Sequence, residues 1–349
     1  MKRATRFAGA LALLGAAFTA TAGPLPALTD ALAEPGKHRL EIGVSDGDSA
    51  TVIPITVVTG ARPGPTLLVM AGVHGSEHAP ILATQRLGPA LASDDLSGNV
   101  ILVHIANLPA YLGRTVYISP ADNKNLNRLF PGKADGTLSE RIAHTLTDGI
   151  YPLADAVLDV HSGDANEQLI PFWAGFYETA GDPKVIEASR AMAHAFGLEH
   201  IVAFQWEFER VEEAIWGGSA AIARGIPSID VEAGGMGVIN DEAVQAIETG
   251  VRRILSHMGI LKASFPALPE PIVIRERKSV KAPRDGSWNA LVEAGTRVRE
   301  GQLLGYLTDW HGNRVFEARA PMDGLLLIRL EAPPANQGET LVTVAKIEP

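Results

Sequence analysis

Apolar residues come in short, bounded runs along most of this chain, and the character of the runs changes twice. Between Arg39 and Gly60, apolar and polar positions alternate in "HRLEIGV" and "ATVIPITVVTG" on either side of "SDGD", which predicts a β-hairpin. From there strand-like and helix-like patterns take turns. "TLLVMAG" (66–72), "NVILVHIAN" (99–107), "DAVLDVH" (155–161) and "PSIDVEAGG" (227–235) read as buried strands. "EHAPILATQRLGPAL" (77–91), "LSERIAHTLTDGI" (138–150), "PKVIEASRAMAHAFG" (183–197) and "DEAVQAIETGVRRILSHMG" (241–259) read as helices. Apolar strands alternating with helices predict an α/β layer with a mixed, largely parallel sheet flanked by helices.

The second change falls at "FPALPEPIV" (265–273), whose prolines mark a linker. Short β-type segments with glycine turns follow to the end of the chain. "APRDG" (282–286) recurs as "APMDG" (320–324), and each copy is followed by a Glu-Ala pair and a glycine turn. Two related halves predict a small all-β module. Its duplication is similar to that of a biotinyl/lipoyl-type barrel sandwich. Such modules carry their cofactor on a lysine between the halves. "TDWHGNRV" stands there and has none, so a structural or lid role is expected.

The beginning of the chain belongs to neither pattern. Lys2, Arg3 and Arg6 precede an apolar run from Phe7 to about Phe18, and Ala20-Thr21-Ala22 suits signal-peptidase cleavage. The run is short of the ~20 residues that span a bilayer. The resulting division is a signal peptide (1–22), a catalytic domain (23–264), a linker (265–273) and a C-terminal β domain (274–349). A periplasmic or secreted protein without a stable membrane anchor is expected.

Composition narrows the chemistry. Loss of residues 1–22 would deepen the net charge from −10 to −13, because three basic residues go with them. So acidic a chain argues against nucleic acid as a partner. There is no cysteine, so a metal site must be built from histidine and carboxylate. An oligomer is compatible with all of this.

Two motifs mislead. "GVSDG" (43–47) matches the G-x-S-x-G of serine hydrolases, but it lies on a hairpin turn with no helix after it. "HGSEH" (74–78) matches H-x-x-E-H, which needs the whole motif inside a helix so that the two histidines share a face. Here a strand precedes it, Gly72 and Gly75 flank His74, and the helix can begin only near Ser76, a natural N-cap. His74 then lies in the loop and Glu77 in the first turn, where both can reach one ion. His78 points about 100° away around the helix.

A catalytic zinc takes three protein ligands and keeps one position open. Besides His74 and Glu77, the third is expected at another strand exit, where α/β sheets gather their sites. His161 in "LDVHSG" is so placed, with Asp159 two residues earlier on the same face to orient it. Glu232, at the exit "IDVEAGG", is the expected proton carrier. The polar loop 113–132 offers Arg114, Asn127 and Arg128, a set suited to holding a substrate carboxylate or to stabilising an oxyanion. Trp206, Phe208 and Trp216 either line a pocket or join the core.

"GVHGSE", "NLNRLFPG", "LDVHSG" and "IDVEAGG", in this order, resemble the succinylglutamate desuccinylase/aspartoacylase family, whose core is similar to that of zinc carboxypeptidases. The resemblance covers roughly residues 39–259. It implies that His74, Glu77 and His161 bind one zinc ion per chain and that Glu232 is the general acid/base. Arg114 would polarise the scissile carbonyl, and Asn127 and Arg128 would bind the substrate carboxylate. In one respect the sequence departs from aspartoacylases proper: the additional arginine about ten residues before the glutamate is missing, and Arg224 lies only eight before it. The reading is a zinc-dependent amidohydrolase acting on an N-acyl amino acid or related small amide. The alternatives are a periplasmic metallocarboxypeptidase cleaving short peptides, and a binding protein that has lost its metal.

Overall fold

A computed structural model describes residues 23–347. The predicted signal peptide therefore lies outside the described residues. The first hairpin is β1 (Gly36–Ser45) and β2 (Ala50–Thr59), paired antiparallel, with α1 (Pro26–Ala33) packed beneath it. The alternating part follows as β3 (Arg62–Ala71), α2 (His78–Ala90), β4 (Ser97–Val103), α3 (Leu108–Gly113), α4 (Leu138–His144) and β5 (Ala156–His161). A π-helical turn, Thr145–Ile150, continues α4. Then come β6 (Glu167–Leu169), β7 (Trp173–Tyr177), α5 (Pro183–Phe196), β8 (His200–Phe204), α6 (Gly217–Ile222), β9 (Ser228–Glu232), α7 (Asp241–His257) and β10 (Ile272–Ile274).

Nine strands form one sheet in the order β1-β2-β4-β3-β5-β9-β7-β8-β10. The pairs β3–β4, β3–β5, β5–β9, β7–β8 and β8–β10 are parallel, and β7 meets β9 antiparallel. Mostly parallel sheets are buried on both faces, and β3 shows how. Leu67 and Val69 point into a core with α2, α5 and α7, while Leu68 and Met70 point into a second core containing Leu28 of α1 and Ile142 of α4. The helix α7 illustrates local encoding. Asn240 caps it by accepting from the N–H groups of Glu242 and Ala243, and Val244, Ile247, Val251, Ile254 and Leu255 form its buried stripe.

Three features were not anticipated. The segments β7 and β8 are strands, one of them inserted antiparallel beside β9. The helix α2 starts at His78 rather than at Glu77, with Glu77 at the capping position. The Ser76 hydroxyl does not cap this helix, because it donates to Asp164 Oδ1 at 2.9 Å. The proline-rich segment ends in β10, which adds a parallel edge strand to the large sheet.

The remaining strands are β11 (Arg277–Lys281), β12 (Gly286–Ala290), β13 (Arg297–Val298), β14 (Leu303–Thr308), β15 (Arg314–Arg319), β16 (Gly324–Leu330), β17 (Pro334–Ala335) and β18 (Thr340–Ala345). They form an all-β region of two sheets, β11-β18-β16-β13 and β15-β14-β12-β17. The repeated motifs enter it equivalently, since Ala282 and Ala320 are both buried in its core. Strand β6 pairs antiparallel with β16, which ties this region to the loop leaving β5. No helix among the described residues is long and apolar enough to cross a membrane.

Candidate metal centre and active site

Three strands deliver the site. The chain leaves β3 through Gly72, where φ is +70° and an added Cβ would fall 2.9 Å from the Ile105 Cα, so there is no room for a side chain. His74 follows in the loop and Glu77 at the start of α2. His161 is the last residue of β5 and Glu232 the last of β9.

His74 Nδ1 lies 2.8 Å from Glu77 Oε1, and His161 Nδ1 lies 3.0 Å from Glu77 Oε2. All three residues are buried, and their potential donor atoms lie within 4.8 Å of one another. The far side of each ring is held too. His161 Nε2 faces Asp159 Oδ1 at 3.1 Å, and His74 Nε2 faces Asn125 Oδ1 at 3.2 Å. Two imidazoles and one carboxylate, each imidazole braced from behind, fit a divalent metal of the zinc type. His78 is not part of the cluster; its Nδ1 bonds the Gly237 carbonyl at 2.8 Å.

The same carboxylates and rings set the electrostatics of the cluster. Burial disfavours the Glu77 carboxylate, but the His161 and His74 rings outweigh it and hold the group at about 2. Burial likewise opposes protonation of His161, and the Asp159 and Glu77 carboxylates override it and raise the ring well above its ordinary value. Glu232 behaves in the opposite way. Burial, against the pull of His161 and with the Glu77, Glu167 and Asp164 charges nearby, pushes its carboxyl well above the usual range. Its Oε2 is buried without a hydrogen-bond partner.

His161 and Glu232 open onto a cavity of about 340 Å³, the size of a small-molecule site. Asn127, Arg128, Trp206 and Trp216 line it as well. The two tryptophan rings meet edge to face at 4.6 Å, whereas Phe208 packs into a small cluster with Tyr177 and Val185. Asn127 Oδ1 accepts from the Gly217 N–H at 3.2 Å, which ties the polar loop to α6.

Arg114 is the exception among the expected residues. It occupies the left-handed C-cap of α3 (φ 54°), which turns its exposed side chain back toward the Leu112 carbonyl, and it does not line the cavity. Arg224 is elsewhere too, paired with Asp148.

Several residues were missed by sequence reasoning. Asp164, three residues beyond His161, comes within 3.4 Å of His74 Nδ1. Tyr117 stands edge-on to the His74 ring and donates toward Glu167 and Asn166. Asp230 is the register partner of Asp159 and accepts from the Tyr177 hydroxyl at 2.8 Å. Burial and the neighbouring Asp159 push its carboxyl up to about 7. The two aspartates are reached by "WGG": a Cβ on Gly218 would fall 1.9 Å from Asp230 Oδ1, and the Gly218 N–H donates to Asp159 Oδ2 at 3.1 Å. Arg277 enters the cavity from β11, beyond the linker. The doublet "DVHSGD" was a signal for Asp164; nothing local marked Arg277.

The sequence model of the succinylglutamate desuccinylase/aspartoacylase catalytic domain matches residues 63–258, the stretch that supplies His74, Glu77, His161 and Glu232. The chain belongs to this family. It is 32% identical over 335 residues to an N-alpha-acetyl-L-2,4-diaminobutyric acid deacetylase of Halomonas elongata, covering 93% of this chain and 95% of that one. Among solved structures it is similar to a succinylglutamate desuccinylase of a Silicibacter species, with 26% identity and a TM-score of 0.80 over 91% and 97% of the two chains. The product-bound ectoine utilization protein EutE (DoeB) of Ruegeria pomeroyi is 28% identical, with a TM-score of 0.80 over 90% and 96%. The family's named members are amide hydrolases, and the desuccinylase/aspartoacylase architecture extends here over both the α/β and the all-β parts.

Proposed function

We propose that this protein is a zinc-dependent amidohydrolase that removes the acyl group of a small N-acyl amino acid. One observation carries the reading: the His74–Glu77–His161 cluster lies beside the unpartnered Glu232 carboxyl, and that carboxyl faces a cavity also lined by Asn127 and Arg128. His74, Glu77 and His161 would hold the ion. When bound, zinc supplies Lewis acidity, which polarises an amide carbonyl and lowers the pKa of water.

The protein's own groups do the rest. Glu232 takes the proton from the attacking water and returns it to the leaving amine, which requires a carboxyl that is basic enough to accept it. Its buried setting supplies that basicity. Asn127 and Arg128 orient the substrate through its carboxylate. Asp159 fixes the His161 ring. Arg114, turned outward, has no part in this scheme.

The all-β region is read as a barrel sandwich of the biotinyl/lipoyl type that carries no swinging arm, on the strength of the paired Ala282 and Ala320 motifs. The chain is read as exported, with residues 1–22 removed; a mature N-terminus near Gly23 in a periplasmic fraction tests this.

The deciding experiment assays zinc-loaded and chelated protein on a panel of N-acyl amino acids, including Nα-acetyl-diaminobutyrate, beside tri- and tetrapeptides. Chelator-reversible release of acyl groups from the small substrates is expected. Cleavage of the peptides alone would replace the deacylase with a carboxypeptidase. No metal-dependent turnover of any of them would favour a binding protein.

A further inference from the structure

An amide carbonyl under attack needs a donor for the charge that gathers on its oxygen. Arg114, which the family resemblance offered for that place, is turned outward. Asn127 and Arg128 are taken up by the substrate carboxylate in the scheme above. Arg277, the other cation on the cavity, lies over the Phe204 and Trp173 rings and is drawn to the Glu232 charge. The hydroxyl of Tyr117, beside the His74–Glu77–His161 cluster, has no role in that scheme.

Tyr117 is half-buried on the polar loop 113–132, and its ring stands edge-on to that of His74 with the centroids 5.8 Å apart. The loop around it is pinned. Asn125 Oδ1 faces His74 Nε2 at 3.2 Å and accepts the Asn127 N–H at 2.9 Å. Glu232 stands at the other imidazole, as the register partner of His161. The proton carrier and the phenol therefore attend different imidazoles of the cluster. That division suits amide hydrolysis, in which the water is activated at the carbon end of the carbonyl and charge develops at the oxygen end.

The hydroxyl is held but not used up. It lies 3.0 Å from Glu167 Oε1 and 3.1 Å from Asn166 Oδ1, and a phenol has a single proton to give. Both acceptors are fixed through their own backbone. The Asn166 carbonyl accepts the Glu331 N–H at 2.7 Å, and the Glu167 carbonyl accepts the Met236 N–H at 2.9 Å. Burial pushes the Glu167 carboxyl above its usual range, against the pull of the hydroxyl, and in its protonated form it donates to the phenol oxygen. The phenol proton then rests on Asn166, a neutral acceptor. An oxygen that gathers negative charge is the stronger one.

We propose that Tyr117 is a catalytic residue that polarises the scissile carbonyl, donating a hydrogen bond from its hydroxyl to the carbonyl oxygen in the place that Arg114 leaves. The proposal rests on the hydrolase reading for its reaction. As the water oxygen bonds to carbon, the carbonyl π pair moves onto its oxygen, where the Tyr117 donor stabilises it; the pair returns as the C–N bond breaks. The Tyr117 proton is not transferred, so the proton balance remains the one that Glu232 carries. Because Asn166 is bonded to the turn after β16, the all-β region helps to fix this donor in place.

The test compares Tyr117→Phe with Arg114→Met on the zinc-loaded full chain. Phenylalanine keeps the ring edge on His74 and removes only the donor. For each N-acyl amino acid that the parent hydrolyses, kcat of Y117F should fall about 10²- to 10³-fold with KM within about threefold, while R114M stays near the parent. Calorimetry gives a second readout, with the analogue of the same substrate in which an alkylphosphonyl group replaces the acyl group. Its tetrahedral phosphorus carries the charged oxygen that the amide acquires only under attack. Y117F should bind this analogue about 10- to 100-fold more weakly than the parent does, with zinc content and affinity for the free amino acid product unchanged.

Parental kcat in Y117F, or an equal loss of affinity for analogue and product, would overturn the proposal. Should Y117F not fold, a crystal structure of the parent with the analogue decides. Tyr117 Oη within about 3.2 Å of a phosphonyl oxygen upholds the assignment, and a longer separation overturns it. If the parent hydrolyses the panel and Y117F matches it, Tyr117 alone is misassigned. If the parent hydrolyses nothing, the hydrolase reading fails together with it.

Discussion

His161 and Glu232 are register partners across the parallel β5–β9 ladder, and Asp159 and Asp230 form the rung two residues before them. Residues two apart on a strand share a face, so all four side chains project from the same side of two neighbouring strands. The proposed metal ligand, its brace, the proposed proton carrier and a second buried acid are therefore fixed by one stretch of backbone pairing.

This rung leads to the first prediction. Glu232→Gln preserves shape and removes the titrating group, so the variant should bind zinc as the parent does while kcat falls about 10²- to 10⁴-fold. Metal analysis beside steady-state kinetics checks both halves. Near-normal turnover would take the proton-carrying role away from Glu232.

Asp159 supports His161 from behind, with Asp159 Oδ1 3.1 Å from the ring Nε2. Asp159→Asn should weaken zinc affinity about 10- to 100-fold, measured by competition with a chromogenic chelator. His161→Gln should lose the ion outright under the same conditions. Equal affinity in D159N and the parent would show that Asp159 does not brace the ligand.

Gly218 allows α6 to touch the two aspartates. In Gly218→Ala the new methyl would sit 1.9 Å from Asp230 Oδ1, so the helix must shift. A loss of about 1–3 kcal/mol in urea unfolding is expected from the overpacking. An unchanged midpoint would mean that this contact relaxes freely.

A further prediction concerns pH and lies away from the site. Glu140 accepts from the Thr137 N–H at 3.0 Å at the start of α4 and meets Lys124 and Lys133. The Thr137 N–H and Lys124 hold its carboxyl at about 2, against an opposing effect of burial, compared with 4.5 for the free group. A depressed folded-state value adds stability that is fully present above pH 4.5 and lost as pH falls toward 2. Glu140→Gln should cost about 1 kcal/mol at pH 7, and the gap to the parent should close between pH 4.5 and 2. Urea midpoints across that range decide it; a gap independent of pH would exclude the charge as its source.

Much of this was legible in the chain itself. The runs at 66–72, 99–107, 155–161 and 227–235 are apolar because they are central strands covered on both faces, and such strands declare themselves by composition. Strand ends then follow, and with them the clustering of His74, Glu77, His161 and Glu232, since a parallel α/β sheet gathers its strand exits at one edge. The segments β7 and β8 were overlooked because "WAGFY" and "HIVAF" are only five residues long and lie amid polar loops. Ser76 was misjudged as a cap because its hydroxyl has a better partner, Asp164, 88 residues away.

The same contrast separates what the sequence determined from what the tertiary structure decided. Hydrophobic periodicity and turn chemistry act over a few residues, and they specified most of the elements and, through the strand ends, the His74, Glu77 and His161 set that could hold a metal. The outward turn of Arg114 follows from a local left-handed cap that no periodicity announces. The antiparallel insertion of β7 beside Glu232 and the entry of Arg277 from the all-β region were decided only when distant segments packed, and contacts between residues far apart in the chain leave no periodic trace in either partner.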